Sequence, residues 1–225
     1  MRLSVIIPAL NEEEQIEAVV QQARQPGVGG VIVVDGGSSD ATVELASAVA
    51  DRCLSAARGR ARQMNAGAAT ANGDILVFVH ADTLVPAGFA RAIAGALDDA
   101  AVVGGRFDVA LMPSTPLLRL VATLMNLRSR LSGIATGDQA IFVRREVFAR
   151  LGGFSDLPLM EDIDFSRRLK RAGGIACLRE RVTTSSRRWR ADGAVRTILR
   201  MWTLRLLYSL GVSPARLRRA YADRR

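Results

Sequence analysis

Apolar residues alternate between short continuous runs and helical stripes through the first half of the chain. Leu3-Ser4-Val5-Ile6-Ile7-Pro8 is a near-continuous apolar run closed by proline, the pattern of a buried strand. Residues 11–23 begin with acidic side chains and place Ile16, Val19 and Val20 at helical spacing, which predicts a helix with Asn11 as its N-cap. Val31-Ile32-Val33-Val34 is a second buried strand, and residues 42–50 a second helix. Residues 74–80 form another apolar strand, and residues 89–97 a helix after Pro86. Strand and helix alternating at this spacing predict βαβ units, an α/β fold with a mostly parallel central sheet flanked by helices. Ligands in such sheets bind beyond the carboxyl ends of the strands, where Asn11, residues 35–40 and residues 80–83 fall.

The second half is less regular. Residues 102–111 read as a strand, 117–131 as an amphipathic helix interspersed with Arg119, Arg128 and Arg130, and 141–143 as a short strand. Residues 145–151 and 162–171 read as helices stopped by Gly152-Gly153 and Gly173-Gly174, and residues 195–210 as a helical tail. With no repeat and no low-complexity linker, one domain over residues 1–225 is the economical organisation.

Charge divides this domain. The 225 residues carry a formal net charge of +9. Residues 1–112 hold 8 basic and 13 acidic side chains, a net of −5, whereas residues 113–225 hold 23 and 9, a net of +14. The second half therefore favours anions such as phosphates or an anionic lipid surface. Aromatic residues make up only 5%, thin for base stacking, and no nucleic-acid-reading motif is present, so a nucleic-acid partner is not expected. Cys53 and Cys177 are far apart with no CxxC, which excludes a disulfide scaffold. No leader pattern or spanning stretch is visible, which predicts a cytoplasmic protein.

Several clusters carry candidate chemistry. Asp35-Gly-Gly-Ser-Ser-Asp40 ends a strand; its carboxylates can bind a base or ribose, or cap the following helix. His80-Ala-Asp82 follows an apolar strand. Asp82 can hold Mg²⁺ or Mn²⁺ together with a diphosphate, while His80 reads as a packed residue. Glu161-Asp-Ile-Asp164 places three carboxylates at a helix start, where one can act as a general base or all can be solvated beside Arg167 and Arg168. Arg58-Gly-Arg-Ala-Arg62 and Ser185-Ser-Arg-Arg-Trp-Arg190 are basic clusters suited to phosphate or to solvent.

The order of these clusters resembles that of the family 2 glycosyltransferases. The likeness runs through Pro8-Ala-Leu-Asn-Glu12, Asp35 to Asp40, Arg60, Asn65, Gly73-Asp74, His80-Ala-Asp82, Gly152-Gly-Phe154, Glu161-Asp162 and Arg187-Arg-Trp189. It implies a GT-A fold and an inverting transfer of hexosyltransferase type from a nucleotide-diphospho-sugar, with UDP expected ahead of GDP. The resemblance implies that residues 1–112 form the donor half and residues 113–225 the acceptor half. Pro8, Leu10 and Glu12 would flank the base, Asp35 would bind it, Gly36 would allow close approach, and Arg60 would lie near base or ribose. Asp82 would hold metal and diphosphate. Asp162 would be the general base, Glu161 would neighbour the acceptor, and Gly137, Asp138 and Gln139 would form an acceptor-side loop. Arg187, Arg188 and Trp189 would serve the donor diphosphate.

His80 stands where the family has the first Asp of its DxD motif, and Ser185 stands where processive members have Gln or Arg. The second departure argues against a polymer synthase. Leu157-Pro-Leu-Met-Glu-Asp-Ile-Asp-Phe-Ser166 and Thr184-Ser-Ser-Arg-Arg-Trp189 look most like the small bacterial subgroup linked to arsenosugar biosynthesis. A small-molecule acceptor follows; the alternative is a polyprenyl phosphate met at the inner face of the membrane. The basic tail over residues 195–225 suits either packing on the domain or peripheral contact with that membrane. Monomer and homodimer are both open. A nucleotidyltransferase is disfavoured because the loop after the first strand lacks a Gly-rich, Lys-bearing sequence.

Overall fold

The computed structural model describes residues 1–220, without the side chains of Arg188, Asp192 and Ala220. Eight strands form one sheet: β1 (Leu3–Ala9), β2 (Val28–Asp35), β3 (Arg52–Ser55), β4 (Ile75–Phe78), β5 (Thr83–Leu84), β6 (Val102–Met112), β7 (Ile141–Arg144) and β8 (Gly174–Ser185). Their spatial order is β3-β2-β1-β4-β7-β6-β8-β5. The pairs β3–β2, β2–β1, β1–β4 and β6–β8 are parallel, and the pairs that include β7 or β5 are antiparallel. The mostly parallel α/β sheet expected from the apolar pattern is therefore present.

Period-2 alternation explains why β1 is central. Val5 and Ile7 enter a core with Val31, Val33 and Val77, closed by Ile16, Val19 and Val20 of α1 (Ile16–Ala23) and by Phe89 and Ile93 of α4 (Phe89–Ala96). Ile6 enters the opposite core with Val34, Leu76 and Phe78, closed by Met64 of α3 (Arg60–Thr70), Phe148 of α6 (Arg145–Arg150) and Phe165 of α7 (Glu161–Ala172). A strand buried on both faces reads as a continuous apolar run, as β1 does. Gly67 lets α3 lie close to the sheet, because a Cβ there would meet Ile6 Cγ2 at 2.5 Å and Val34 Cγ2 at 3.0 Å.

Several boundaries differ from expectation. Asn11 does not cap α1. It adopts a left-handed φ of 52°, and α1 begins at Ile16, whose N–H donates to the Glu12 carbonyl at 2.9 Å. Asn11 is instead tied to the next loop, where its Oδ1 accepts from the Ser39 N–H at 2.9 Å. The 12-residue strand β8 is unanticipated because Arg179, Glu180 and Arg181 interrupt its apolar pattern and much of it is only partly buried. It is held by pairing with β6 and β5, with Val182 buried in the core and Ala176 and Leu178 packed against it. The basic tail forms α9 (Ala194–Ser209) and α10 (Pro214–Ala220), which cover α7 through Leu204 and Leu217 against Leu159 and Ile163. Residues 221–225 of the tail lie outside the described residues.

Phe78, Phe148, Phe154 and Phe165 stack in a cluster with centroid separations of 4.4 to 5.7 Å. This cluster joins β4 to α6 and α7. Phe165→Ala is expected to cost about 3–5 kcal/mol, read by urea unfolding, because Phe165 is wholly buried and its neighbours are fixed by the sheet.

Candidate active site

The carboxyl ends of β1 and β2 build the first part of the site. Pro8 and Leu10 are buried at the end of β1. Asp35, also buried, accepts from the N–H of Gly37 at 2.8 Å and of Ser38 at 3.0 Å, and from the Ser38 hydroxyl at 2.5 Å. Its carboxylate thus shapes the loop that follows β2. Beneath it, Gln63 donates through Nε2 to the Ala9 and Val34 carbonyls, both at 2.8 Å. A Cβ at Gly36 would lie 3.0 Å from that Gln63 amide, so residue 36 must be small for the strand ends and α3 to fit together.

The second part is a group of charges around Asp82. Glu12 is 6% exposed, and its Oε2 accepts from Arg187 Nη2 at 3.0 Å. The hydrogen bond to Glu12 raises the Arg187 guanidinium above its ordinary value, and the charges of Glu12, Asp82 and Glu14 add to it. Asp82 is half-buried and loosely held: its Oδ1 is 3.4 Å from Thr83 Oγ1 and 3.5 Å from Thr184 Oγ1. Among the described residues no three His, Cys, Asp or Glu side chains converge. One free-facing carboxylate beside a cation suits a hard divalent ion only if a diphosphate and water supply its other oxygens. Asp82 fits that donor set.

The third part lies at the start of α7. Glu161 is 3% exposed, and its Oε1 is 2.8 Å from Arg60 Nε. Asp162 Oδ2 accepts from the Gly137 N–H at 2.8 Å, while Oδ1 accepts from the Ile163 N–H at 2.7 Å. Asp164 turns away, bound to Ser155 and Arg168. The three neighbouring carboxylates therefore have three separate partners. Gly137 begins a short 3₁₀ turn, Gly137–Gln139. His80 packs against it so closely that a Cβ at position 137 would lie 2.2 Å from His80 Nε2. His80 Nδ1 is 3.2 Å from Asp138 Oδ1. His80 is half-buried, with Gly137 as a neighbour that its sequence context did not foretell.

A cavity of about 660 Å³ is lined by Arg60, His80, Gly137, Asp138, Asp162 and Trp189 among others. The expected donor-side residues Pro8, Leu10, Glu12, Asp35, Gly36, Asp82 and Arg187 do not line it, and neither do two residues expected on the acceptor side. Gln139 is fully buried, and its Oε1 accepts from the Thr136 N–H at 3.1 Å, so it serves the turn and not a ligand in the cavity. Glu161 is buried behind Arg60 and acts as a positioning residue for that guanidinium. Arg60, expected near the base or ribose, lines this cavity together with Asp162. The Arg188 side chain lies outside the described residues. The cavity is also lined by residues of α5 (Pro116–Ser132) and α9, including Arg128 and Arg205. Nothing in the sequence marks either beyond arginines recurring among leucines.

Comparison with known proteins gives a consistent result. The profile of Glycosyl transferase family 2 matches residues 4–152. The probable glycosyltransferase YdaM of Bacillus subtilis (strain 168) is 28% identical over 199 residues, covering 76% of this chain and 47% of that protein. The S. aureus TarS 1–349 structure in complex with UDP-GlcNAc superposes with a TM-score of 0.65 at 18% identity, covering 82% of this chain and 58% of that one. Glucosyl-3-phosphoglycerate synthase from Mycobacterium tuberculosis, in complex with Mn²⁺, UDP-glucose and phosphoglyceric acid, gives a TM-score of 0.60 at 25% identity, covering 80% and 70%. The chain spans less than half the length of the curated relatives it matches.

Arg60→Ala would leave the Glu161 carboxylate buried without its cation. The expected loss is about 3 kcal/mol in urea unfolding, because an unpaired buried charge keeps its full desolvation cost. Adding Glu161→Gln should restore most of that loss, as only a neutral amide then remains buried.

Proposed function

Because the chain belongs to glycosyl transferase family 2, we propose that it performs an inverting, metal-dependent transfer of a sugar from a nucleotide-diphospho-sugar to an acceptor bound beside Asp162. The single observation that carries this reading is the arrangement of Asp162. It lines a substrate-sized cavity while its carboxylate is held by the Gly137 and Ile163 N–H groups. The donor base would rest on the loop shaped by Asp35, with Pro8, Leu10 and Gly36 around it. UDP is the expected base carrier, in keeping with the UDP-sugars held by the TarS and glucosyl-3-phosphoglycerate synthase structures.

Asp82 would hold Mg²⁺ or Mn²⁺, and Mn²⁺ accompanies the donor in the Mycobacterium tuberculosis structure. A divalent ion supplies charge neutralisation to the departing diphosphate when bound. Arg187, fixed by Glu12, adds a cation on the same side. On the opposite side Asp162 removes the proton of a hydroxyl acceptor as that oxygen attacks the anomeric carbon; a phosphate acceptor would attack through an oxygen that is already ionised and would need no base. The bonds of Asp162 to Gly137 and Ile163 orient its carboxylate without neutralising it. Arg60 contributes a further cation to that wall, and Glu161 keeps it in place.

Two acceptor classes fit this site. The likeness of residues 157–166 and 184–189 to the arsenosugar-linked subgroup supports a small-molecule acceptor. A second reading, a polyprenyl phosphate reached at a membrane surface, is favoured by two exposed apolar stripes. Leu117, Leu120, Leu124, Leu127 and Leu131 stand exposed along α5, and Val195, Leu199, Trp202, Leu206 and Leu210 along α9 and its end. Basic residues accompany both stripes, as anionic lipid surfaces require. No helix among the described residues is long and apolar enough to cross a membrane. The domain would then sit peripherally at the cytoplasmic face.

Asp162→Asn should lower kcat by about 10²–10⁴-fold while leaving the UDP–Mn²⁺ thermal shift intact; unchanged turnover would remove Asp162 from the base role. Asp82→Ala should abolish the Mn²⁺-dependent part of that shift, and a chelator should do the same to the unaltered protein. In flotation with phosphatidylglycerol vesicles, the protein should rise with the lipid, and Leu131→Ser with Trp202→Ser should reduce the bound fraction several-fold. Failure of the unaltered protein to float would remove the membrane reading.

A further inference from the structure

The cavity beside Asp162 contains two cations that the proposed transfer does not use. Arg128 projects from α5 and Arg205 from α9, and both line the cavity. Neither takes part in a salt bridge among the described residues. Nε and Nη2 of Arg128 and Nε of Arg205 are buried without a hydrogen-bond partner. The one bond from Arg128, Nη1 to the Ile134 carbonyl, is long at 3.5 Å. Burial and the neighbouring Arg205 charge push the Arg128 guanidinium down to about 10. Burial lowers Arg205 as well, with Asp162 and Asp138 opposing.

Two guanidinium groups held close in a mainly apolar wall repel each other and leave donors unsatisfied, an arrangement that an anion relieves. The rest of that wall indicates what carries the anion. Leu124, Leu127, Leu131 and Trp202 line the cavity and also remain largely exposed, so an apolar path runs from the arginines to solvent. Guanidinium forks match phosphate oxygens, and two forks from different helices can grip one tetrahedral group.

We propose that Arg128 and Arg205 form an acceptor subsite for a phosphate monoester, with the leucine and Trp202 wall holding the hydrocarbon that bears it. This rests on the reading of the Asp162 side as the acceptor side. The two helices then have a shared role: each supplies one phosphate-binding cation and one apolar strip. The positive charge of the second half is placed inside the cavity as well as on the surface.

Binding of farnesyl phosphate, farnesol and glycerol phosphate to the full chain tests this, by thermal shift and calorimetry below the lipids' aggregation limits. Farnesyl phosphate should bind, farnesol at least tenfold more weakly. Arg128→Gln and Arg205→Gln should each weaken farnesyl phosphate at least tenfold while keeping the UDP–Mn²⁺ shift, which reports an intact fold and donor site. If either Gln variant does not fold, Arg128→Lys and Arg205→Lys keep the charge without the fork, and a several-fold loss is expected. Equal binding of farnesol, unchanged affinity in both variants, or no binding of either phosphate would overturn the subsite. Glycerol phosphate binding as tightly as farnesyl phosphate would support the phosphate subsite, identify a soluble phosphoester as the source and overturn the hydrocarbon part. Loss of the UDP–Mn²⁺ shift in the unaltered protein, with farnesyl phosphate still bound, would overturn the donor reading alone.

Discussion

The ion pair between Arg60 and Glu161 is the constraint on which the site depends. Arg60 opens α3, which packs on the strands of the acidic first half, and Glu161 opens α7 of the basic second half. A carboxylate that is 3% exposed needs its partner, so the pair favours the register in which the start of α7 meets the start of α3. That register places Asp162, the next residue, against Gly137 and at the cavity. The aromatic cluster from β4 to α7 supports the same placement from the apolar side. Packing sets how close the helix lies, and the ion pair sets where along the sheet edge it begins.

Charge in the second half is used unevenly. Arg168 is consumed locally, by Asp164 and by the carbonyls of Leu151 and Gly153. Arg187 reaches across to Glu12, linking the end of β8 to the loop after β1. Arg128 and Arg205 lack such partners and stand in an apolar wall. A net charge of one half therefore says little by itself. The individual guanidinium groups divide into those that hold the fold together and those that, among the described residues, line the cavity with unpartnered nitrogens.

Helices α5 and α9 carry apolar residues on their exposed faces as well as on their buried ones. On α5 the buried face includes Asn126 and Ser129, whereas five leucines are exposed. Asn126 is satisfied inside by the Val109 backbone, accepting from its N–H at 2.8 Å and donating to its carbonyl at 3.0 Å. A polar residue with both bonds met can replace an apolar one in a core. The leucines are thereby released for the outer face and the cavity mouth.

The sequence by itself determined the strands and helices of the sheet's first half, because double-sided burial imposes unbroken apolar runs on β1, β2 and β4. It also determined the order of the motifs from Glu12 through Asp35, Asp82 and Glu161-Asp162 to Arg187, which was enough to identify the family. Helix α7 was legible too, from its acidic start and its glycine stop. Other features were decided only by tertiary structure. Strand β8 is held by pairing with β6 and β5, and its own pattern is mixed. Asn11 leaves the helix to tie two loops together. Glu161 and Asp162 look equivalent in sequence, yet one is buried against Arg60 and the other faces the cavity. Arg128 resembled any other arginine on a helix. Local periodicity records which face of an element is buried, but not which distant side chain will meet it. Ion pairs and cavity walls come from contacts between distant parts of the chain, so their assignment required the fold.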